Sequence, residues 1–163
     1  MRAQSISLSD MIAAGEIDCA LIARPPNSFL AGHPDVVRLF PDYRAREKDY
    51  YRRTKIFQIM HLVVIRNDIY EQHPFVATSL YNAFGAAKDW AREKMRFPGT
   101  LRYMLPWLPD DIEEIDELFG GDCWPYGVEP NRPTLEALVA YMAEQGLIPE
   151  PIPVEKLFVP TSG

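Results

Sequence analysis

Cysteines and long apolar runs are both scarce in this sequence. Cys19 and Cys123 are the only cysteines among its 163 residues, and neither belongs to a CxxC pair or a cluster of metal ligands. We therefore predict no disulfide framework and no metal site. The first ten residues are polar, and no apolar run approaches the roughly 20 residues of a membrane-spanning helix. Without a recognisable secretory signal or span, we expect a cytoplasmic protein with no membrane partner.

Positive charge is also in short supply. The chain has 17 Lys and Arg residues against 23 Asp and Glu residues, for a formal net charge of −6. Because general nucleic-acid binding needs excess cations to displace counterions, we predict no nucleic-acid partner. The sequence lacks GxGxxG, P-loop, GxSxG and HExxH motifs, which excludes the common signatures of dinucleotide, phosphate, serine-hydrolase and zinc-protease sites.

Three short apolar runs predict β-strands, at residues 17–23, 36–40 and 56–65. The third run, IFQIMHLVVI, is nearly all apolar, which is typical of a parallel strand covered on both faces. Residues 7–14, 43–53, 74–96, 110–119 and 132–145 have helical patterns, and in the last of these Leu135, Leu138, Val139 and Met142 are expected to face the core. Alternating strands and helices favour an α/β fold with a helix-rich C-terminal half. Two or three strands make a small sheet, which indicates part of a larger protein.

His61 is the first candidate for chemistry, because it is one of only two polar side chains in the run 56–65. A histidine near neutral pKa can donate or accept a proton in catalysis. The alternative is a core histidine bonded to a backbone carbonyl.

Cations next to the predicted strands are further candidates. Arg24 follows the run 17–23 directly, where a guanidinium can hold a carboxylate at the edge of a sheet. Tyr51 and Arg53 lie in a segment that mixes aromatic rings with cations, a combination that can hold an aromatic acid. The alternatives are a solvated arginine and the exposed end of a charged helix.

The segment 123–132, CWPYGVEPNR, has no periodicity and is predicted to be a loop. Loops rich in aromatic and polar residues either pack as lids or bind ligands. Its candidate site residues are Trp124, Tyr126, Glu129, Asn131 and Arg132. Packing by Trp124 and helix capping by Asn131 are the structural alternatives, and both are compatible with a role in binding.

Several motifs together resemble one enzyme family. They are GEID at 15–18, ARPP at 23–26, RLFPD at 38–42, Glu47, Tyr50, Tyr51, Thr54, IMH at 59–61, VVIR at 63–66, WPYGVE at 124–129, NRPTLE at 131–136 and QGL at 145–147. In this order, over residues 11–158, they resemble the C-terminal half of 4,5-dihydroxyphthalate decarboxylases. The sequence departs from the family at Gln58, where proline is expected, and in lacking an N-terminal half.

The resemblance implies a two-lobed α/β fold like that of type II periplasmic binding proteins. Residues 1–163 would form one partial unit, with about 1–55 in one lobe and 56–163 returning to the other. The implied activity is a carboxy-lyase of phthalate degradation, which converts 4,5-dihydroxyphthalate to protocatechuate and CO2 without a cofactor. The missing N-terminal half, or a homo-oligomer, would complete the cleft. The alternative is a solute-binding protein that carries an aromatic or related acid for a transport system.

The chemistry of this reaction suggests a role for each candidate. Arg24 and Arg53 would anchor the carboxylates of a small aromatic dicarboxylate. His61 would donate the proton and Glu129 would accept from the phenol. Tyr51, Trp124, Tyr126, Asn131 and Arg132 would line the binding site.

Overall fold

The protein is helical wherever regular secondary structure is described. The computed structural model describes residues 6–97, 99 and 102–161. Across these residues it has seven α-helices and one 3-10 helix, and no β-strand. The helices are α1 (Leu8–Ala13), α2 (Asn27–Leu30), α3 (Tyr43–Thr54), α4 (Asn67–Gln72), α5 (Phe75–Arg96), α6 (Leu108–Phe119), α7 (Val128–Glu144) and the 3-10 helix Val154–Lys156.

The predicted α/β fold, with its likeness to type II periplasmic binding proteins, is therefore wrong for the described residues. The runs 17–23, 36–40 and 56–65 contain no strand. A strand exists only where its N–H and C=O groups pair with a second strand. Within the described part of the chain, residues 58–65 make no hydrogen bond through their backbone. Their apolar composition indicated a preference for burial, and the sheet that would bury them is absent from these residues.

The chain divides into two compact units, Met1–Arg46 and Glu47–Gly163. The helix α3 begins in the first unit and ends in the second. The predicted division into lobes near residue 55 stays a prediction.

The first unit is held together by capping and by one serine pair. Ser7 caps α1 in a reciprocal capping box with Asp10. The backbone N–H of Ser28, in α2, donates to Ser9 Oγ at 2.9 Å, and Ser28 Oγ donates to the Ser9 carbonyl at 3.1 Å. These bonds fix α2 against α1.

The second unit contains the long helices and a small core. Ala77, Leu135, Val139 and Val154 are its buried apolar side chains among the described residues. They come from α5, α7 and the 3-10 helix, and α7 packs on the 3-10 helix. Leu135 and Val139 are buried as predicted, whereas Leu138 is 54% exposed.

Two helix boundaries shape the loop between α6 and α7. The helix α6 ends at Gly120, whose φ of 71° is the left-handed conformation that glycine adopts without strain. The helix α7 begins after Gly127, so Pro133 lies inside it rather than in the first turn predicted for a helix at 132–145. Since proline has no N–H, Pro133 cannot donate to the carbonyl of Glu129 one turn earlier.

Many large apolar side chains are exposed to solvent. In the segment 56–65, Met60 is 59% exposed and Val64 is 89% exposed. No helix among the described residues has the length and apolarity needed to cross a membrane.

Two leucines of α7 test how much the small core stabilises the protein. Leu135 is 5% exposed and Leu138 is 54% exposed on the same helix. Leu135→Ala should lower the free energy of unfolding by about 2–4 kcal/mol, because it leaves a cavity. Leu138→Ala should change it by less than about 1 kcal/mol. Urea unfolding followed by circular dichroism measures both, and equal losses would contradict this description of the core.

Candidate functional site

Four aromatic rings pack together in the second unit. The ring centroid of Tyr51, from α3, lies 4.3 Å from that of Phe119 at the end of α6. Phe57 lies 4.9 Å from Phe119 and 5.0 Å from Trp124. Rings at these distances and tilted angles attract through their edges and faces. The sequence-predicted residues Tyr51 and Trp124 therefore belong to one aromatic cluster, formed by Tyr51, Phe57, Phe119 and Trp124.

Thr134 of α7 fixes the backbone of this cluster. The Phe57 N–H donates to Thr134 Oγ1 at 3.2 Å, and Thr134 Oγ1 donates to the Phe57 carbonyl at 3.1 Å. One hydroxyl thus satisfies both backbone groups of a residue outside any helix. This pair of bonds is what holds the start of the apolar segment 56–65 against α7.

Lys88 of α5 holds the loop between α6 and α7. Its ammonium donates to Asp122 Oδ2 at 2.6 Å and to the Trp124 carbonyl at 3.0 Å. The same nitrogen lies 4.5 Å from the centre of the Tyr126 ring, in cation–π contact. The hydroxyl of Tyr81, also on α5, donates to the Tyr126 carbonyl at 3.2 Å. The conformation of the Trp124–Tyr126 stretch is therefore set by α5.

Asp122 and Cys123 respond differently to their positions in this loop. Burial raises the pKa of Asp122, but the hydrogen bonds from Lys88 and the Trp124 N–H, with the charges of Lys88 and Arg92, outweigh it and leave that pKa below its usual value. Burial is the main reason that the pKa of the Cys123 thiol is raised. Asp122 is thus an anion at neutral pH, and Cys123 is a neutral thiol.

Asn131 ties the loop to the first turns of α7. Its side-chain amide donates to the Pro125 carbonyl at 2.7 Å and to the Gly127 carbonyl at 2.8 Å. Both donors of the amide are used within the protein. The structural alternative of helix capping is wrong for Asn131, because the residue lies inside α7 and its side chain fastens the preceding loop.

Arg132 is surrounded by carboxylates. It pairs with Glu129 at 2.7 Å, Glu155 at 2.8 Å and Glu136 at 3.4 Å. The hydrogen bond from Arg132 lowers the pKa of Glu129, and the bond to Glu129 is the main reason that the Arg132 pKa is raised. Arg132, Glu136 and Glu155 also line a shallow groove of about 340 Å³ with Val139, Ala140 and residues 151–154. Glu129 is a weak base here, since its negative charge is stabilised.

The other predicted site residues do not join these contacts. Arg53 pairs with Asp49 one turn earlier in α3, at 2.9 Å, and both side chains are exposed. Arg24 is exposed in the first unit. His61 is exposed within the segment 56–65, and it makes no hydrogen bond or ion pair with any described residue. The expectation of a buried imidazole in a strand is therefore wrong.

Sequence reasoning missed three residues that organise the site: Phe57, Lys88 and Thr134. Lys88 lies in the helix predicted at 74–96, and its position in the sequence gave no indication of a partner 34 residues away. Thr134 is part of the NRPTLE motif but had no predicted role. Among the described residues, no group of three or more His, Cys, Asp or Glu side chains could hold a metal ion.

The comparisons with known proteins point to one kind of enzyme. The chain is 32% identical over 156 residues to a protein of Comamonas testosteroni named 4,5-dihydroxyphthalate decarboxylase. The chain is similar to 4,5-dihydroxyphthalate decarboxylases. A Pseudomonas putida protein of the same name is 41% identical over 46 residues, which is 28% of this chain and 18% of that protein. No protein-family model matches the chain.

The matched residues make up different shares of the two sequences. The 156 residues matched to the Comamonas decarboxylase are 96% of this chain but 47% of that enzyme. The chain thus spans about half the length of the Comamonas enzyme, although the similarity covers nearly the whole chain. Both relatives are named as decarboxylases, and the solute-binding alternative gains no support from them.

Acid should release the loop from α5 through Asp122. A carboxyl whose folded pKa is depressed stabilises the folded state above the unfolded pKa of about 3.9, and this contribution is lost as pH falls through the folded value. With Trp90 and Trp107 replaced by phenylalanine, Trp124 is the one remaining tryptophan. Its fluorescence should change below about pH 4.

Two variants identify the group responsible for this transition. Asp122→Asn should already show the altered fluorescence at pH 7, and its acid transition should be smaller. Asp116→Asn is the matched control, because Asp116 pairs with Arg96 outside the loop. An unchanged acid transition in Asp122→Asn would show that Asp122 does not control the loop.

Proposed function

We propose that this chain is a carboxy-lyase that converts 4,5-dihydroxyphthalate to protocatechuate and CO2. The observation that carries the proposal is the 32% identity, over 96% of the chain, to an enzyme named for that activity. Its substrate under this proposal is a small aromatic dicarboxylate. Because the chain spans 47% of that enzyme, we include in the proposal a further polypeptide, either a second copy or an N-terminal segment, as a partner in activity.

The substrate itself lowers the barrier to losing CO2. Each carboxylate of 4,5-dihydroxyphthalate has a hydroxyl para to it, which can push electrons toward the ring carbon that bears the carboxylate. A general acid protonates that carbon, and the bond to the carboxylate then breaks. Its electron pair restores the aromatic ring as CO2 leaves. The net reaction consumes one proton, which the acid regains from water, and it needs no oxidant or reductant.

The exposed rings of Trp124 and Tyr126 favour a ligand with a flat ring. Trp124 is 46% exposed and Tyr126 is 42% exposed, while Lys88 and Tyr81 fix the backbone between them. Aromatic faces that are held in place and still reach solvent can stack on a substrate ring at little cost in conformational entropy. We therefore place the ring of the substrate beside this loop.

His61 is retained as the proposed proton donor. Its exposure allows it to exchange protons with water, which a donor needs in each turnover. Glu129 fits its proposed role as phenol partner less well, because the hydrogen bond from Arg132 already occupies it. Glu129 and Arg132 are better described as a charge pair at the edge of the site.

Product analysis tests the proposed activity directly. The purified chain is incubated with 4,5-dihydroxyphthalate, and CO2 and protocatechuate are measured together. Phthalate, which has both carboxylates but no hydroxyls, is the matched substrate control and should release no CO2, because nothing pushes electrons into the ring. Equal amounts of CO2 from the chain and from heat-inactivated chain, both alone and with an N-terminal segment supplied, would refute the proposal.

The proposed donor is tested by replacing histidines one at a time. A positioned general acid contributes about 10²–10⁴ in rate, so His61→Ala should lower kcat by that factor. His73→Ala is the control, because His73 ends α4 and contacts Phe75 rather than the loop. If His61→Ala keeps kcat within about twofold of the parent, His61 is not the acid.

A further inference from the structure

Three cations repeat along one face of α5. Lys88, Arg92 and Arg96 are four residues apart, which places them on the same side of the helix. Two carboxylates face this stripe. Asp122 pairs with Lys88, and Asp116 pairs with Arg96, whose Nη2 lies 2.6 Å from Asp116 Oδ2. The stripe therefore has one more positive charge than its partners neutralise.

Arg92 is the cation without a carboxylate of its own. Its closest acidic atom is Asp122 Oδ1, at 3.6 Å from Nη1, which is beyond hydrogen-bonding distance. That oxygen already accepts the Trp124 N–H at 3.0 Å, and the other oxygen of Asp122 accepts from Lys88. Within the described part of the chain, the Arg92 guanidinium makes no hydrogen bond.

The surroundings of Arg92 make this unusual. Its side chain is 25% exposed, so much of the charge is removed from water while up to five N–H donors are unused by the described residues. The nearby acids of α5 do not compensate. Glu93 pairs with Lys94 at 3.5 Å, and Asp89 forms no ion pair with Arg92 among the described residues. A guanidinium in this state offers two parallel donors to a carboxylate from outside.

We propose that Arg92 binds a carboxylate of an aromatic acid whose ring lies against the Trp124–Tyr126 loop. The link between the two is Asp122, which contacts Arg92 through its side chain and bonds the backbone of Trp124. This inference rests on the proposed function and names the anion anchor of the same site. It replaces Arg53 in that role, because Arg53 already pairs with Asp49.

Binding measurements on charge variants test the anchor. The probe is 4,5-dihydroxyphthalate, titrated against the whole chain carrying Trp124 as its only tryptophan and followed by fluorescence. Arg92→Gln should weaken binding by at least about tenfold, the range for losing a charge-assisted hydrogen bond. Arg92→Lys should recover part of the affinity, because the charge remains and the paired donors do not. Lys94→Gln removes one cation from the same helix outside the stripe and should bind like the parent.

A second probe separates anion binding from a general effect on the loop. Catechol has the two hydroxyls of the substrate and no carboxylate, so Arg92→Gln should leave its binding unchanged. Affinity for the dicarboxylate should also fall as salt rises, and this dependence should be weaker in Arg92→Gln. Circular dichroism and thermal unfolding show whether each variant keeps the parent fold.

The outcomes distinguish the anchor from the activity. The anchor is refuted, whether or not CO2 is released, if Arg92→Gln binds the dicarboxylate as tightly as the parent. It is also refuted if the variant loses as much affinity for catechol as for the dicarboxylate. If the parent binds the dicarboxylate through Arg92 but releases no CO2, the anchor stands and the proposed activity fails. If the parent binds no dicarboxylate, both are refuted.

Discussion

The ammonium of Lys88 is the contact on which the candidate site depends. It joins a carboxylate, a backbone carbonyl and an aromatic face that lie within five residues of one another, at 122–126. These residues have no regular secondary structure, and the described second unit has only four buried apolar side chains. The loop is therefore positioned by polar contacts, those of Lys88 together with the hydrogen bonds from Tyr81 and Asn131, more than by packing. The hydroxyl of Thr134 plays the equivalent part for Phe57 on the other side of the aromatic cluster.

The arginines of this region differ in how fully they are paired, and this difference decides which of them can bind a ligand. Arg132 is satisfied by three glutamates and has little capacity left for a ligand. Arg92 is one of three cations on a face that meets two carboxylates, and it has donors that no described residue uses. Two residues of the same type thus differ in what they can bind. The difference depends on contacts between α5, α6 and the loop rather than on local sequence.

Helices were predictable from the sequence, because their hydrogen bonds form within the segment. The Ser7 capping box, the length of α5 and the glycine that ends α6 are all local features. The strand predicted at 56–65 was wrong, because an apolar run indicates only that its residues favour burial, while a strand also requires a partner. Tyr51 and Trp124 were identified from the mixture of residues around them. Lys88 and Arg92 were missed because their partner, Asp122, lies at least 30 residues further along the chain.

The N–H and C=O groups of residues 58–65 have no partner among the described residues, and they lie beside exposed apolar side chains. Such a row is a template on which an identical segment from a neighbouring molecule can stack, as in amyloid. Lys55 and Arg66 stand at the two ends of this region, where like charges would repel in a parallel, in-register stack. Arg66 pairs with Asp68, which offsets part of that repulsion. In concentrated samples these flanking charges would oppose such stacking, and raising the ionic strength would screen their repulsion.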